Sequence, residues 1–317
     1  MKNPKVTVLM SVYNGEKYIK EAIDSILNQT FKDFEFLIIN DGSTDRTAEI
    51  IRNYSNTRIK IHKNKENFGL TKSLNIGLKL ARGEYIARQD ADDMSMSERL
   101  EKELDFLETH KDYAVVGTFV KIMNENSKII RLLDRPLEDK QIREFLKKDN
   151  CITHGSSMIR MESFYDVGSY DESMERSQDY ELWLRISKKY RMANIPEYLY
   201  IWRNHKDNIE AKYKGEQEIF VALAKVKNDI LDIKQTTRHF INSLLKKKEN
   251  SNFKTLHVLF RLIHFATLNR IKIPTLYSVL YRIQFSNRIA IILTDLKMNK
   301  ISFSQAKLQL KHIINRI

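Results

Sequence analysis

Asp90, Ala91, Asp92 and Asp93 put three carboxylates within four residues. Ionised together they repel one another, so the cluster calls for a compensating charge. A hard divalent cation, Mn2+ or Mg2+, held by carboxylate oxygens, would supply it. Such a cation can also bridge two phosphates of a nucleotide and stabilise them as a leaving group. The spacing departs from an EF-hand loop, which needs a third oxygen ligand and a Gly further on. The plainer reading is a solvated acidic turn before a helix, with Asp93 or Ser95 as its cap.

The elements around this run decide what it can meet. Residues 5–12, 34–39, 58–62 and 84–87 read as strands, being β-branched or apolar. Between them, residues 16–29, the stretch after Ser43, and residues 70–80 carry apolar side chains at helical spacing, with Ser43 as an N-cap candidate. Ser95 and Glu98 form a capping-box pattern before another helix. This alternation predicts an α/β fold with a doubly wound, mostly parallel sheet. In such sheets ligands bind outside the carboxyl ends of the strands. Polar turns stand at those ends: Tyr13-Asn14-Gly15, Asn40-Asp41-Gly42-Ser43, Asn67-Phe68-Gly69 and Asp90-Ala91-Asp92-Asp93. Each alone also makes an ordinary turn; four on one edge point to one crevice. Residues 113–133 read as two strands around Asn124-Glu125-Asn126, residues 180–189 as a helix and 198–203 as a strand. Only helical patterns follow residue 213.

Several function classes are disfavoured. No Gly-x-Gly-x-x-Gly follows the first strand and no Gly-Lys-Ser/Thr occurs anywhere, against dinucleotide-dependent hydride transfer and P-loop chemistry. A single cysteine, Cys151, excludes an internal disulfide framework and reads as a small buried residue. The N-terminus lacks a signal-peptide core, and no stretch approaches ~18 uninterrupted apolar residues. The expectation is a cytoplasmic protein.

Three segments resemble family 2 glycosyltransferases. The run MSVYNGEKYIKEAIDSILNQTFKDFEFLIINDGSTDRT is similar to the family's opening. NFGLTKSLNIGLKLARGEYIARQDADD is similar to its central stretch ending in the Asp-x-Asp motif, and SQDYELWLRIS to the later motif with the catalytic base. The resemblance spans about residues 5–208 and implies a GT-A fold and an inverting sugar transfer. It implies that Ser11, Tyr13 and Asp41 hold the donor's base, Asp41 accepting from a ring N–H, and that Lys72 lies near the nucleotide or its phosphates. Asp90 and Asp92 would form the Asp-x-Asp motif, with Asp92 first among metal ligands and Asp93 the weaker candidate. His205 resembles a late position that completes the metal or diphosphate site; it also reads as an ordinary loop histidine. Asp179 matches the base, although it also reads as a helix cap. Gln178 departs from the family, which often has an acid there. His154-Gly155-Ser156 is a candidate lining of the acceptor side.

Charge sets the C-terminal third apart. Residues 1–213 hold 35 Lys+Arg and 35 Asp+Glu, whereas residues 214–317 hold 19 and 6, the whole net charge of +13. Within residues 233–317, basic and apolar side chains alternate at helical spacing, as on helices that lie on an anionic bilayer. The plainer alternative is a helical pair with its basic edge in water. The expected organisation is a catalytic domain over residues 1–213, with a nucleotide-sugar part to about residue 112 and an acceptor part from 113, then a basic helical extension over 214–317. The expected activity moves a sugar from a nucleotide-diphosphate sugar, UDP-sugar first, to a glycan or lipid-linked acceptor in surface polysaccharide synthesis. Residues 233–317 would touch the inner face of the plasma membrane, and no nucleic-acid partner is expected. The competing readings are a nucleotidyltransferase of related fold and a non-enzymatic membrane- or nucleic-acid-binding protein.

Overall fold

The computed structural model describes residues 3–206, 208, 217, 220–230, 305 and 308. The chain divides into two units, residues 1–230 and 231–317. Strands β1 (Val6–Val12), β2 (Phe34–Asn40), β3 (Ile59–Lys63) and β4 (Tyr85–Asp90) alternate with helices α1 (Ile19–Leu27), α2 (Thr47–Arg52) and α3 (Leu70–Leu80). There follow β5 (Met94–Ser95), α4 (Arg99–Thr109), β6 (Tyr113–Met123), β7 (Ile129–Leu133) and α5 (Asp139–Leu146). A 3-10 turn (His154–Ser156), β8 (Met158–Arg160), α6 (Met161–Val167), α7 (Gln178–Ile186) and β9 (Arg191–Arg203) complete the described elements.

The strands form one sheet in the order β3-β2-β1-β4-β8-β6-β9-β5, with β7 pairing β6. The first four are parallel, as the alternation predicts. The apolar runs of β1 and β2 are near-continuous because both faces of the sheet are covered there, whereas the edge strand β3 is partly exposed. Val6, Val8, Met10 and Val12 of β1 join the core shared with Ile19, Ile23 and Ile26 of α1 and Leu100 and Leu104 of α4. Leu9, on the opposite face, meets Gly77 of α3. Strand order reverses between β1 and β4, so the crevice of an open α/β sheet opens outside their carboxyl ends. Register aligns those ends, pairing Ser11 with Asp90 and Val12 with Asn40.

Differences from the sequence reading have local causes. Ser43 caps no helix; its Oγ accepts the Asn14 N–H at 3.0 Å, and α2 starts later at Thr47. Ser95 and Glu98 form no capping box. Ser95 lies in β5, its Oγ donating to Gln89 Oε1, and Glu98 itself flanks α4. Strand β9 runs seven residues earlier than the expected start at 198. The partner register jumps from Ile195 to Tyr198, which bulges Pro196 and Glu197 out of the ladder and hides the strand from a period-2 pattern. The first unit also reaches past 213. Residues 220–227 are helical, with Phe220, Leu223 and Ala224 buried, and Lys225 Nζ donates to Lys148 O at 2.6 Å. The expected helices within 233–317 lie outside the described residues. No helix of the described residues is long and apolar enough to cross a membrane.

Gly42 closes the turn after β2 with φ +71°, and a Cβ there would stand 2.5 Å from the Glu66 carbonyl carbon and 2.8 Å from the Asn67 nitrogen. Both obstacles are backbone and cannot rotate away. Gly42→Ala is expected to destabilise the protein by about 1–3 kcal/mol in urea unfolding; an unchanged midpoint would contradict this packing.

Candidate active site

The crevice gathers side chains from every turn the sequence marked, but it uses them unequally. Asp90 ends β4, and Oδ1 of its carboxylate takes the Arg88 guanidinium at 2.5 Å. Arg88 is fully buried and is the principal countercharge. Burial pushes the Asp90 carboxyl upward, Arg88 pulls it back, and the Asp92 charge pushes it up again. Asp92 turns outward from the sheet end. Its Oδ2 accepts from Asn208 Nδ2 at 3.2 Å and lies 2.9 Å from His205 Nε2, a contact that places the ring proton on Nε2. The His205 ring packs on Tyr18, 5.0 Å between centroids.

Asp93 goes the other way. It is 3% exposed; Oδ1 accepts the Arg203 N–H at 2.8 Å and Oδ2 the Tyr200 hydroxyl at 2.9 Å. Burial, then Asp92 and Asp90, hold its carboxyl well above the ordinary range. Both oxygens accept from the protein, so Asp93 anchors the turn. Among the described residues Asp90 Oδ2 and Asp92 Oδ1 accept no hydrogen bond, and these two atoms remain for a ligand. No group of three or more His, Cys, Asp or Glu side chains among the described residues forms a self-sufficient metal cage.

On the β1–β2 side, two turns are laced together. Asn14, at φ 51°, accepts Thr44 N–H on Oδ1 at 2.8 Å, and Gly15 N–H donates to Thr47 Oγ1 at 2.8 Å. This lacing leaves Tyr13 exposed over the crevice edge and Ser11 half-buried beside Asp90. Asp41 is 2% exposed. Its Oδ1 accepts from Asn64 Nδ2 and Phe68 N–H, and its Oδ2 from Gly69 N–H, each at 2.8–2.9 Å. Its first task is therefore to hold the 67–69 turn ahead of α3. Lys72, on the first turn of α3, is exposed with its ammonium 5.8 Å from the Phe68 ring centroid, and it forms no salt bridge among the described residues.

Asp179 enters from α7, far along the chain. Ser177, at φ 54°, flanks the helix and makes no side-chain capping bond, and Asp179 stands in the first turn of α7. Asn150 Nδ2 donates to Asp179 Oδ2 at 2.8 Å. Burial raises its carboxyl against the pull of the Tyr180 N–H and the Asn150 amide, and the Asp90 charge adds to the rise. The neighbouring acids are engaged elsewhere. Glu181 takes Arg185 through both oxygens at 2.8–2.9 Å, and Asp171 is paired with Lys227. His154 is buried, with Nε2 at 2.8 Å from the Tyr170 hydroxyl; burial and Arg88 keep it neutral by lowering its pKa. Gly155 is required where it stands, since a Cβ there would lie 2.1 Å from the Tyr200 hydroxyl and 2.7 Å from Asp90 Oδ2.

The sequence profile described as glycosyl transferase family 2 matches residues 7–168, half of the chain and all four turns of the crevice. The chain belongs to that family. A glycosyltransferase of Methanocaldococcus jannaschii is 37% identical over 224 residues, covering 68% of this chain and 77% of its own. The O-antigen biosynthesis glycosyltransferase WbnJ of Escherichia coli is 32% identical over 251 residues, covering 76% and 97%. Among solved structures, Staphylococcus aureus TarS 1–349 in complex with UDP-GlcNAc superposes with a TM-score of 0.60 at 19% identity, over 94% of this chain and 93% of that one. The mannosyltransferase PcManGT of Pyrobaculum calidifontis, in complex with GDP-Man and Mn2+, superposes with a TM-score of 0.53 at 17% identity, over 100% and 87%. These likenesses establish the GT-A fold of this family 2 glycosyltransferase, and family membership sets aside the nucleotidyltransferase and non-enzymatic readings.

Four residues of the glycosyltransferase crevice carry no sequence signal of their own: Arg88, Asn150, Tyr200 and Asn208. Each reads as an ordinary polar or aromatic residue until the fold brings it to a carboxylate. Cys151 is buried, its thiol pushed up to about 12 by burial, which fits the structural reading.

The two acids of α7 make opposite predictions. Glu181→Gln breaks the bidentate pair with Arg185 and is expected to cost about 3 kcal/mol of stability in urea unfolding. Turnover should stay within about twofold of wild type. A large fall in turnover without loss of stability would move the base to Glu181.

Proposed function

We propose that this glycosyltransferase is an inverting enzyme that uses a UDP-sugar, assisted by Mn2+ or Mg2+, and glycosylates a glycan or lipid-linked acceptor in surface polysaccharide synthesis. One observation carries the reading. Asp179 approaches from a different segment than Asp90 and Asp92, and it is the acid of α7 that no Lys or Arg pairs among the described residues, whereas Glu181 is taken by Arg185. Inversion needs this two-sidedness: the diphosphate leaves on one side of the sugar while the acceptor oxygen arrives on the other. Asp179 would take the acceptor hydroxyl proton as the new bond to the anomeric carbon forms, and the bond to phosphate breaks with its electron pair going to the diphosphate.

The donor set fits a divalent cation. Asp90 Oδ2 and Asp92 Oδ1 are two hard oxygens at the crevice edge, Arg88 offsets one of the charges, and His205 stands against Asp92. Two carboxylates without a full protein cage suit a cation that completes its shell with substrate phosphates. When bound, it would supply charge neutralisation for the departing diphosphate. The proposal leaves Asp93 out of this set and gives Asp41 a positioning part, because their oxygens are already taken. Ser11 and Tyr13 remain available to the base, and Lys72 to the phosphates. The UDP-GlcNAc held by the TarS neighbour and the Mn2+ held by the mannosyltransferase neighbour support the donor class and the cation.

The test is paired. Asp179→Asn should lower turnover by ~10²- to 10⁴-fold while UDP affinity by titration stays at the wild-type value. Excess chelator should abolish turnover. Loss of nucleotide affinity along with turnover would assign Asp179 to the donor side. Because burial raises the Asp179 carboxyl, it protonates at a higher pH than an ordinary Asp. Turnover should therefore fall with acidity along a limb whose midpoint lies above ~4; a midpoint at or below that value would contradict the assignment.

The proposal extends to residues 233–317, whose sequence carries 16 Lys+Arg against two acids. Each basic residue near an anionic surface contributes up to ~1 kcal/mol, screened by salt. The protein should float with anionic liposomes at low salt, less at high salt and not with neutral ones; equal recovery with neutral vesicles, or none with either, would sink membrane contact.

A further inference from the structure

The Asp90–Asp93 turn is closed from beneath by one side chain. Gln89 is fully buried, and both ends of its carboxamide are used. Nε2 donates to Asp90 O at 3.0 Å and to Asp93 O at 3.1 Å, bridging the two carbonyls that bound the turn. Oε1 accepts from Ser95 Oγ at 2.6 Å and from Arg99 Nη1 at 3.1 Å. A carboxamide offers two donors and two lone pairs, so Gln89 has no capacity left over. Its orientation is forced by chemistry, since the reverse would set its NH2 against a guanidinium and its oxygen against two carbonyls.

Arg99 holds the carboxamide in place. Fully buried, it donates to Arg88 O at 2.7 Å, Gly155 O at 2.9 Å and Ser95 Oγ at 2.8 Å, and pairs with Glu103 at 3.2 Å. From the opposite side the Tyr200 hydroxyl accepts the Asp90 N–H at 3.3 Å and donates to Asp93 Oδ2. The backbone of a four-residue turn rich in like charges is thus clamped on two sides without using the free oxygens of Asp90 and Asp92. Such a clamp matters most when the turn's two carboxylates must wait, close together, for a cation.

We infer that Gln89 is a positioning residue that presets the Asp90–Asp93 turn for a divalent cation and nucleotide diphosphate bound together. This rests on the metal-dependent reading above. Without the clamp, the repelling carboxylates spread, and binding must first restore their separation. A second consequence separates this role from general structural support. The Gln89 carboxamide bonds only the acidic turn and its supports, so nucleotide contacts at Ser11, Tyr13 and Lys72 should not feel its removal.

The experiment titrates UDP into the full-length protein in the presence of saturating Mn2+ and, separately, in excess chelator. Gln89→Met keeps length and burial but removes the carboxamide. It is expected to weaken the Mn2+-dependent affinity about tenfold or more, with the affinity in chelator unchanged within twofold. A folded Gln89→Met protein that binds Mn2+ and UDP like wild type overturns the inference, as does an equal loss under both conditions. Should Gln89→Met fail to fold, Ser95→Ala decides: it removes one of the two donors that hold Oε1. The same split, about threefold, is expected there, and unchanged Mn2+-dependent affinity overturns the proposal. If the wild type shows no Mn2+-dependent gain in UDP affinity, the metal reading falls and this inference with it. A wild-type gain that the variants retain removes this inference alone.

Discussion

Mutual repulsion among Asp90, Asp92 and Asp93 is the constraint around which the crevice is organised. Three ionised groups so close together at the end of a buried strand would drive the turn open. The fold answers each one differently. Asp90 is matched by the buried guanidinium of Arg88, Asp93 is drawn inward to Tyr200 and the Arg203 backbone, and Asp92 stays half-buried beside His205 and Asn208. Only two carboxylate oxygens of the turn stay unclaimed among the described residues, on Asp90 and Asp92.

The supports of that turn reach across the whole sheet. Arg88 and Gln89 come from β4 itself, Ser95 from β5, Arg99 from α4, Gly155 from the turn before β8 and Tyr200 from β9. The turn before β8 and strand β9 thus reach back to the acidic turn from beyond the parallel half. They supply groups that keep the acidic turn closed, so the parallel strands and the elements beyond them are parts of one packed body. Asn75 makes the same link from α3, its amide bonding both the N–H and the carbonyl of Tyr170 on the segment that leads to Asp179. Helix α3 and the segment that leads into α7 are thereby tied together.

A polar cluster this dense is stable only because nearly every group has a partner. Arg99 makes five hydrogen bonds while fully buried, and Glu103 beside it, also fully buried, has its carboxyl pushed up to about 7 by burial against the pull of Arg99. Removing one member leaves the others buried and unpaired, which is why positions such as Arg99 tie the site to the stability of the fold.

Much of this was legible in the residues alone. Apolar runs and helical spacing are local, and they determined the β-α-β-α order, the parallel half-sheet and the edge at which polar turns collect. The motif runs likewise determined the family, since DADD and SQDYELWLRIS keep their order and spacing in the chain. What each carboxylate does was decided by tertiary structure, because its partner lies far away in sequence. Asp93 faces inward on account of Tyr200 and Arg203, Asp41 is engaged by Asn64, Phe68 and Gly69, and Glu181 is withdrawn by Arg185 while Asp179 meets the Asn150 amide and no cation among the described residues. Even the apparent caps at Ser43 and Ser95 were claimed by Asn14 and Gln89. A side chain's type sets which bonds it can make; which of them it makes depends on whatever long-range packing places within 3 Å of it.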